Sequence, residues 1–251
     1  MANSTIKSAR RVIEIMEFFD RKRRPLGLKE ICETLGYPVS SGAAMLKSLM
    51  LLGYLEYDRG TRTYLPTMRI AMLGRWVTDE LFNEFKMLPL MEELRERTRE
   101  TIILGTQSEV RAQYVHVLRS PQPLSYSAEA GSLRPLTRSG VGLVLLSTKS
   151  DPEIDMLVYR SNYEESNRSR RVALKDVMDK VKIIRKQGYF FSRNLYTEGV
   201  GVIAMSLPAA PFNRRFVVAL GGPVRRLEKH LADNLATMNR TIKRFLPRAV
   251  E

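Results

Sequence analysis

Two histidines, His116 and His230, and a single cysteine, Cys32, carry all the imidazole and thiol chemistry of this 251-residue chain. Their wide separation writes no zinc spacing and no Cys–His pair within one motif. His116 lies in the alternating run Gln113–Leu118, the pattern of a half-exposed strand histidine. Cys32 shares the apolar side of a short helical stretch with Leu28, Ile31 and Leu35, where a thiol behaves as a small buried hydrophobe. The pairs Gly140-x-Gly142, Gly199-x-Gly201 and Gly221-Gly222 match neither a phosphate-cradling Walker loop nor a full dinucleotide fingerprint. The adjacent carboxylates Glu92-Glu93 and Glu164-Glu165 are sequence neighbours on helices or loops and read as solvated. No motif unites a nucleophile, a base and an orienting group. The enzyme class is therefore the weaker one, and no catalytic residue, metal or cofactor is expected.

What the chain does carry is positive charge. Lys and Arg number 41 against 27 Asp and Glu, a net charge of +14, with a pI near 10.1. Such a balance favours polyanionic partners, nucleic acid before anionic membrane. Residues 1–66 hold eleven basic and seven acidic side chains, leaving +10 to the remainder, so net charge alone does not say which part meets nucleic acid. At 44% hydrophobic and 27% charged the composition is that of a globular protein. No apolar run approaches the roughly 18 residues of a membrane span. The N-terminus reaches charge before any apolar block, and one cysteine permits no internal disulfide. A cytoplasmic protein without a membrane partner is expected.

The elements that would bring these charges to a polyanion are written in residues 1–66. Val12, Ile13, Met16 and Phe19, widened by Ile15 and Phe18, mark a helix over Ser8–Asp20. Pro25 and Gly27 break the pattern, a second helix runs Leu28–Leu35, and Gly36 and Pro38 make a tight turn. A third helix follows to Leu52, with Ser40 as its expected N-cap. A wheel at 100° per residue groups Gly42, Met45, Leu46, Leu49 and Leu52 on one side. Ser40, Ala43, Ala44 and Lys47 lie opposite, with Ser41 and Ser48 on a flank. Small and hydroxyl residues with one lysine let a helix approach DNA closely while the bulky face is held from behind. Tyr54–Tyr57 and Thr63–Leu65 then read as a hairpin turning at Asp58–Arg62. A hairpin directly after such a helix is the wing of a winged helix-turn-helix. Lys47, Ser40 and Ser41 are expected at the major groove, with Ser48 beside them. Arg59 and Arg62 are expected on backbone or minor groove, and Arg10 and Arg11 on phosphates.

The remainder reads as a linking helix over 67–82, with Ile70, Leu73, Val77 and Leu81 on one side, and a mixed domain over 83–251. Its elements are a helix from Pro89 to Thr98, strands at Thr101–Ser108 and Ala112–Leu118, and a third strand near Leu124–Tyr126. Helices are expected at Ser139–Thr148, Glu153–Tyr159 and Lys175–Gln187. Strands follow at Tyr189–Arg193, Val200–Leu207 and Phe216–Leu220, then one long helix, Leu227–Leu246. Ser161–Arg171, polar and basic, reads as a mobile loop. Strands and helices do not alternate strictly, so the class is α+β with a largely antiparallel sheet, not a doubly wound fold.

This arrangement resembles the IclR-type bacterial transcriptional regulators over nearly the whole chain. The matching residues are Ser8–Val12, Leu28–Pro38 (LKEICETLGYP), Ser40, Leu46, Leu49, Gly53-Tyr54-Leu55 and Tyr64-Leu65. In the second half Gly131–Ser147 (GSLRPLTRSGVGLVLLS), Arg185–Tyr189 and Gly199–Ala204 follow the family order. The resemblance implies a winged helix-turn-helix over 1–66, a linking helix with dimer contacts over 67–82, and a GAF-like effector-binding and oligomerisation domain over 83–251. Ala44 replaces the arginine, and Gly42 the branched residue, usual in that recognition helix, so no operator sequence transfers from relatives. Thr137, Leu143, Asn194-Leu195 and Val202 replace a histidine, a lysine, paired carboxylates and a cysteine common in the family, so either the ligand is unusual or the pocket has lost its ligand response.

The implied function is a regulator whose affinity for double-stranded operator DNA is set by a small-molecule effector, an aromatic or short-chain acid, in a homodimer or homotetramer. Family position places the effector against Ser139, whose hydroxyl and helix-start N–H groups suit a carboxylate. Asn194, Ile203 and Ser206 would form the opposite wall, and Tyr114 or Tyr126 an apolar face. The competing class is a GAF-like sensor or enzyme whose N-terminal domain binds protein rather than DNA.

Overall fold

In the computed structural model, which describes residues 6–79, 82, 86–208 and 214–246, the first helical period folds as α1 (Lys7–Lys22). Its buried face is Ile15, Phe18 and Phe19, flanked by Val12 and Met16. Ile13, read as part of the stripe, is exposed; two residues from Ile15, it points about 200° around the helix. A two-residue strand β1 (Leu26–Gly27) precedes α2 (Leu28–Leu35), which Gly36 ends at φ +68°. Only glycine takes that left-handed cap without steric cost.

Next comes α3 (Val39–Leu51). The helix starts one residue before the expected Ser40 cap. Pro38 holds the cap position, its carbonyl accepting from the Gly42 N–H at 3.0 Å, and no side chain caps the helix. Strands β2 (Leu55–Asp58) and β3 (Thr63–Pro66) form the hairpin, and β1 adds to the free edge of β3, giving the order β1-β3-β2. Phe18, Leu26, Ile31, Leu46 and Leu55 close one core, each burial contributing about 1.5–3 kcal/mol.

Helix α4 (Met68–Asp79) belongs to this first compact unit, residues 1–79. Thr67 donates its N–H to Tyr54 O and its hydroxyl to Gly53 O, and Arg69 stacks on the Tyr54 ring. Met68, Met72 and Leu73 are exposed. Leu81, expected on the apolar side of a longer helix, lies outside the described residues.

The second unit, residues 80–251, is built on a six-stranded sheet. After α5 (Met87–Thr98) come β4 (Thr101–Ser108), β5 (Arg111–Leu118), β6 (Leu133–Pro135) and α6 (Gly140–Ser147). Helices α7 (Asp151–Glu164) and α8 (Leu174–Gln187) follow, then β7 (Phe190–Arg193), β8 (Val200–Ser206) and β9 (Phe216–Pro223). The short α9 (Val224–Lys229) and α10 (Leu231–Phe245) complete it. The order is β6-β5-β4-β9-β8-β7, and every pairing is antiparallel. Strand alternation sends Ile103, Tyr114, Val202 and Ala204 to one face, under α6, α7 and α8. Ile102, Leu104, Ile203 and Met205 go to the other, under α5 and α10.

Glycines set how closely α6 lies on the sheet. A Cβ at Gly105 would stand 2.6 Å from Val141 Cγ1, and one at Gly140 would stand 2.8 Å from Ser192 Oγ. At Gly142 it would collide with the Leu136 backbone.

Three elements differ from the sequence expectation. Leu124–Tyr126 forms no strand: Leu124 O accepts from Arg226 Nη1 and Tyr126 O from the Thr101 hydroxyl, while β6 takes the edge of β5. Side-chain donors there replace a ladder. The segment read as a mobile loop is helical to Glu164 and makes a 3-10 turn at Arg168–Arg170, tied by Arg171 to Glu165 O. The expected long C-terminal helix breaks at His230 (φ −107°, ψ 22°). The two pieces serve different partners, α9 lying along β8 and α10 along α5. No helix among the described residues is long and apolar enough to cross a membrane.

Candidate nucleic-acid interface and ligand cavity

Gly42, Leu46 and Leu49 anchor α3 from behind, and the opposite side presents Ser40, Ala44, Lys47 and Ser48 to solvent, with Ser41 half-buried. At Gly42 the helix approaches α2 closely, since a Cβ there would lie under 3.0 Å from Cys32 Sγ. Ser48 turns its hydroxyl back to Ala44 O at 2.9 Å. Its hydrogen is therefore engaged by the helix, and only its lone pairs face outward.

At the hairpin tip Asp58 Oδ1 accepts the N–H groups of Gly60 (2.7 Å) and Thr61 (3.3 Å), which hold its carboxyl below the usual carboxylate range. The pinned turn carries exposed Arg59 and Arg62, the latter at φ +55°. Arg10 is exposed and pairs with Glu14 at 3.4 Å. Arg11 lies over the ring of Tyr37, in the turn between α2 and α3, at 4.9 Å. Tyr37 in turn donates to Glu14, and burial, with that bond, raises its phenol to about 12.

In the second unit the residues expected around an effector divide. Tyr114, Tyr126 and Ser139 do meet, at a small cavity of about 20 Å³ completed by Gly140, Ser192, Val200, Val202 and the segment Leu195–Thr197. Ser139 caps α6: its Oγ accepts from Gly142 N at 3.1 Å and donates to Pro135 O at 2.8 Å. The hydroxyl hydrogen is thus already committed. Burial, then the neighbouring Tyr126, pushes the Tyr114 phenol above its ordinary range, so it stays protonated.

The other three expected residues are not among the lining residues. Ile203 is one step out of phase on β8, its side chain in the core under α5 and α10. Ser206, at the end of β8, faces a groove beside Asn239 and Ile242 of α10. Asn194, at φ +53°, uses its side chain to accept Gly199 N–H at 2.8 Å, closing the β7–β8 connection on itself.

Ser192 and Tyr196 escaped the sequence reading. A buried serine beside two phenylalanines in a strand was the available signal for the first. Tyr196 sits in a turn, where periodicity says nothing. Arg134 was also missed: it pairs with Ala112 across β5–β6, which puts its side chain on the face of Tyr114.

A family model described as the C-terminal domain of the bacterial transcriptional regulator IclR matches residues 80–244. A second, the IclR helix-turn-helix domain, matches residues 8–59. The chain is 23% identical to the HTH-type transcriptional regulator KdgR of Escherichia coli, over 96% of this chain and 92% of that one. It is 27% identical to the glycerol operon regulatory protein of Streptomyces coelicolor, over 97% and 96%. Among solved structures, a transcriptional regulator from Rhodococcus superposes with a TM-score of 0.74 at 18% identity, covering 96% of this chain and 97% of that one. An IclR homolog from Microbacterium hydrocarbonoxydans, complexed with 4-hydroxybenzoate, superposes with a TM-score of 0.72 at 17% identity, covering 95% and 100%.

Proposed function

The chain belongs to the IclR family of bacterial transcriptional regulators, and from that premise we propose that it binds a two-half-site operator through α3 and the β2–β3 wing, under control of a small acid held in the second unit. The observation that carries the DNA half is the small-residue face of α3. Ser40, Ala44 and Lys47 are exposed together while Gly42, Leu46 and Leu49 are buried behind them, and Arg59 and Arg62 crown the adjoining hairpin. Lys47 reads a base edge, Arg10, Arg11, Arg59 and Arg62 meet phosphates or the minor groove, and the alanines favour thymine methyls and DNA shape. The exposed Met68, Met72 and Leu73 of α4 support a homodimer, which would set two recognition helices about one turn of DNA apart. The effector reading, an aromatic or short-chain acid, is supported by the phenol- and hydroxyl-lined cavity, and the regulator is proposed to be cytoplasmic. The ligand of the Microbacterium homolog is an acid of that kind.

Fluorescence anisotropy with duplex from upstream of the protein's own gene tests the DNA half. Log affinity should fall with log salt at a slope of about −0.9 per phosphate contact. Lys47→Ala should relax sequence preference at a cost of about 1–3 kcal/mol, while Arg62→Ala weakens all duplexes alike. Duplex binding absent even at about 50 mM salt rejects the reading.

A further inference from the structure

The ligand cavity has a cation at its rim that no motif announces. Arg134 stands on the edge strand β6, and its guanidinium lies 5.4 Å from the Tyr114 ring centroid and 4.8 Å from that of Tyr196. Both rings line the cavity. The guanidinium is held between two aromatic faces, with the Tyr126 hydroxyl beside it. Leu133 O, at 3.0 Å, takes a hydrogen bond from one terminal nitrogen. Arg134 Nε is buried and has no hydrogen-bond partner. A buried N–H left unmatched is costly, and an arginine fork is the side-chain geometry best matched to a carboxylate. No Asp or Glu lines the cavity to fill that place.

Tyr196 is carried by the β7–β8 connection, Asn194–Gly199, whose two end residues both take positive φ (+53° and +76°). The Asn194 side chain closes its base on Gly199 N–H. The connection is a short strap with its ring laid on the arginine. Some 20 Å³ holds about one water, so anything larger needs a wall to move, and the strap is the wall that no strand pairing holds.

We propose that Arg134 is the carboxylate anchor of this cavity and that Tyr196 is the lid an incoming planar acid displaces and then rests under. The proposal rests on the effector reading above and deepens it. The acid's carboxylate meets the Nε–Nη edge of Arg134, its ring lies beside the guanidinium under the displaced Tyr196, and the Tyr126 hydroxyl completes the polar end. The ligand class is then a monocarboxylate with a flat apolar body, in preference to a neutral amide of the same shape.

Calorimetric titration of the full chain with benzoate and with benzamide, its neutral isostere, tests this. Wild type should bind benzoate at least about tenfold more tightly than benzamide, as expected for a charge-assisted pair. Arg134→Gln should weaken benzoate by about 10–100-fold and erase the preference, while Arg134→Lys, which keeps charge without the fork, should retain part of it. Tyr196→Ala should weaken both ligands together. Val202→Phe, which fills the cavity, should abolish both. Thermal melts confirm that each variant is folded. Benzoate preference that survives Arg134→Gln while Val202→Phe abolishes binding overturns the anchor and keeps the cavity. Benzoate binding untouched by either variant, or no heat from wild type at about 5 mM of either ligand, overturns the anchor together with the cavity's acid-binding role.

Discussion

Replacing Gly42 by alanine tests how the recognition helix is seated. In an isolated helix the change is favourable by about 1 kcal/mol. Here the new Cβ would fall under 3.0 Å from Cys32 Sγ, with Leu28 Cδ1 at 3.5 Å behind it. Cys32 is buried, so its sulfur moves aside only by turning about χ1 into packed neighbours. Burial also raises its thiol pKa, the carboxylate of Glu33 adding to the effect, as for a packed apolar group. Overpacking of this kind costs about 1–3 kcal/mol, which leaves Gly42→Ala destabilising by about 1 kcal/mol. Cys32→Ala alone removes a methylene-sized group and costs a similar ~1 kcal/mol. In the double variant the alanine methyl occupies the vacated sulfur space and the helix-propensity gain is realised. That protein should match wild type, giving a coupling of about 2 kcal/mol. The chain has two units, so a single global melt does not isolate the effect. Native-state hydrogen exchange of α2 and α3 amides in the four proteins does. Single-mutant effects that add to within about 0.5 kcal/mol would refute the steric reasoning.

The second unit offers three further tests. Gly142→Ala drives a Cβ into the Leu136 backbone, which cannot yield, and should lower that unit's melting temperature by about 4–8 °C; an unchanged melt means α6 has room it does not show. Glu100, only 2% exposed, binds Arg226 through both oxygens at 2.6 Å. Glu100→Gln should cost about 3–5 kcal/mol by leaving the guanidinium poorly matched, whereas replacing both partners by methionine should recover most of it; equal losses from single and double variants would show that the ion pair is not the cause. Burial lowers the His116 imidazole below its ordinary 6.5, so the unfolded chain takes up the proton first. The stability from the neutral ring is full above about pH 6.5 and is lost as pH falls from there through the folded value; urea midpoints should show this slope in wild type and lose it in His116→Gln.

Where burial imposes one period, the sequence was readable. The boundaries of α2 and β4 agree residue for residue with the pattern, because Gly36 and the Glu109-Val110 turn punctuate them. Elements without a period were not. Two residues of β1 cannot alternate, and Leu124–Tyr126 has strand-like composition but receives its hydrogen bonds from Arg226 and Thr101, more than twenty residues away in either direction. The cavity followed the same rule. Ser139 and Tyr114 lie in segments whose facing was evident, whereas Ile203 was assigned one residue out of phase, an error that reverses the face completely. Arg134 was invisible because its meaning depends on register with Ala112 and on a ring from a distant turn.

The close seating of α6 on glycines also channels how ligand preference could change by mutation. Positions 105, 140 and 142 admit no side chain without displacing Val141, Ser192 or the Leu136 turn. Of these Gly140 lines the cavity, so the wall made by the start of α6 is closed to single-step variation. Residues 195–197, in the strap and outside any ladder, can exchange size and polarity without disturbing a neighbouring strand. New specificities would then arise by rewriting the lid over an unchanged helix start, and a library randomised at Leu195, Tyr196 and Thr197 should yield folded variants with shifted ligand choice far more often than one of equal size at the three glycines.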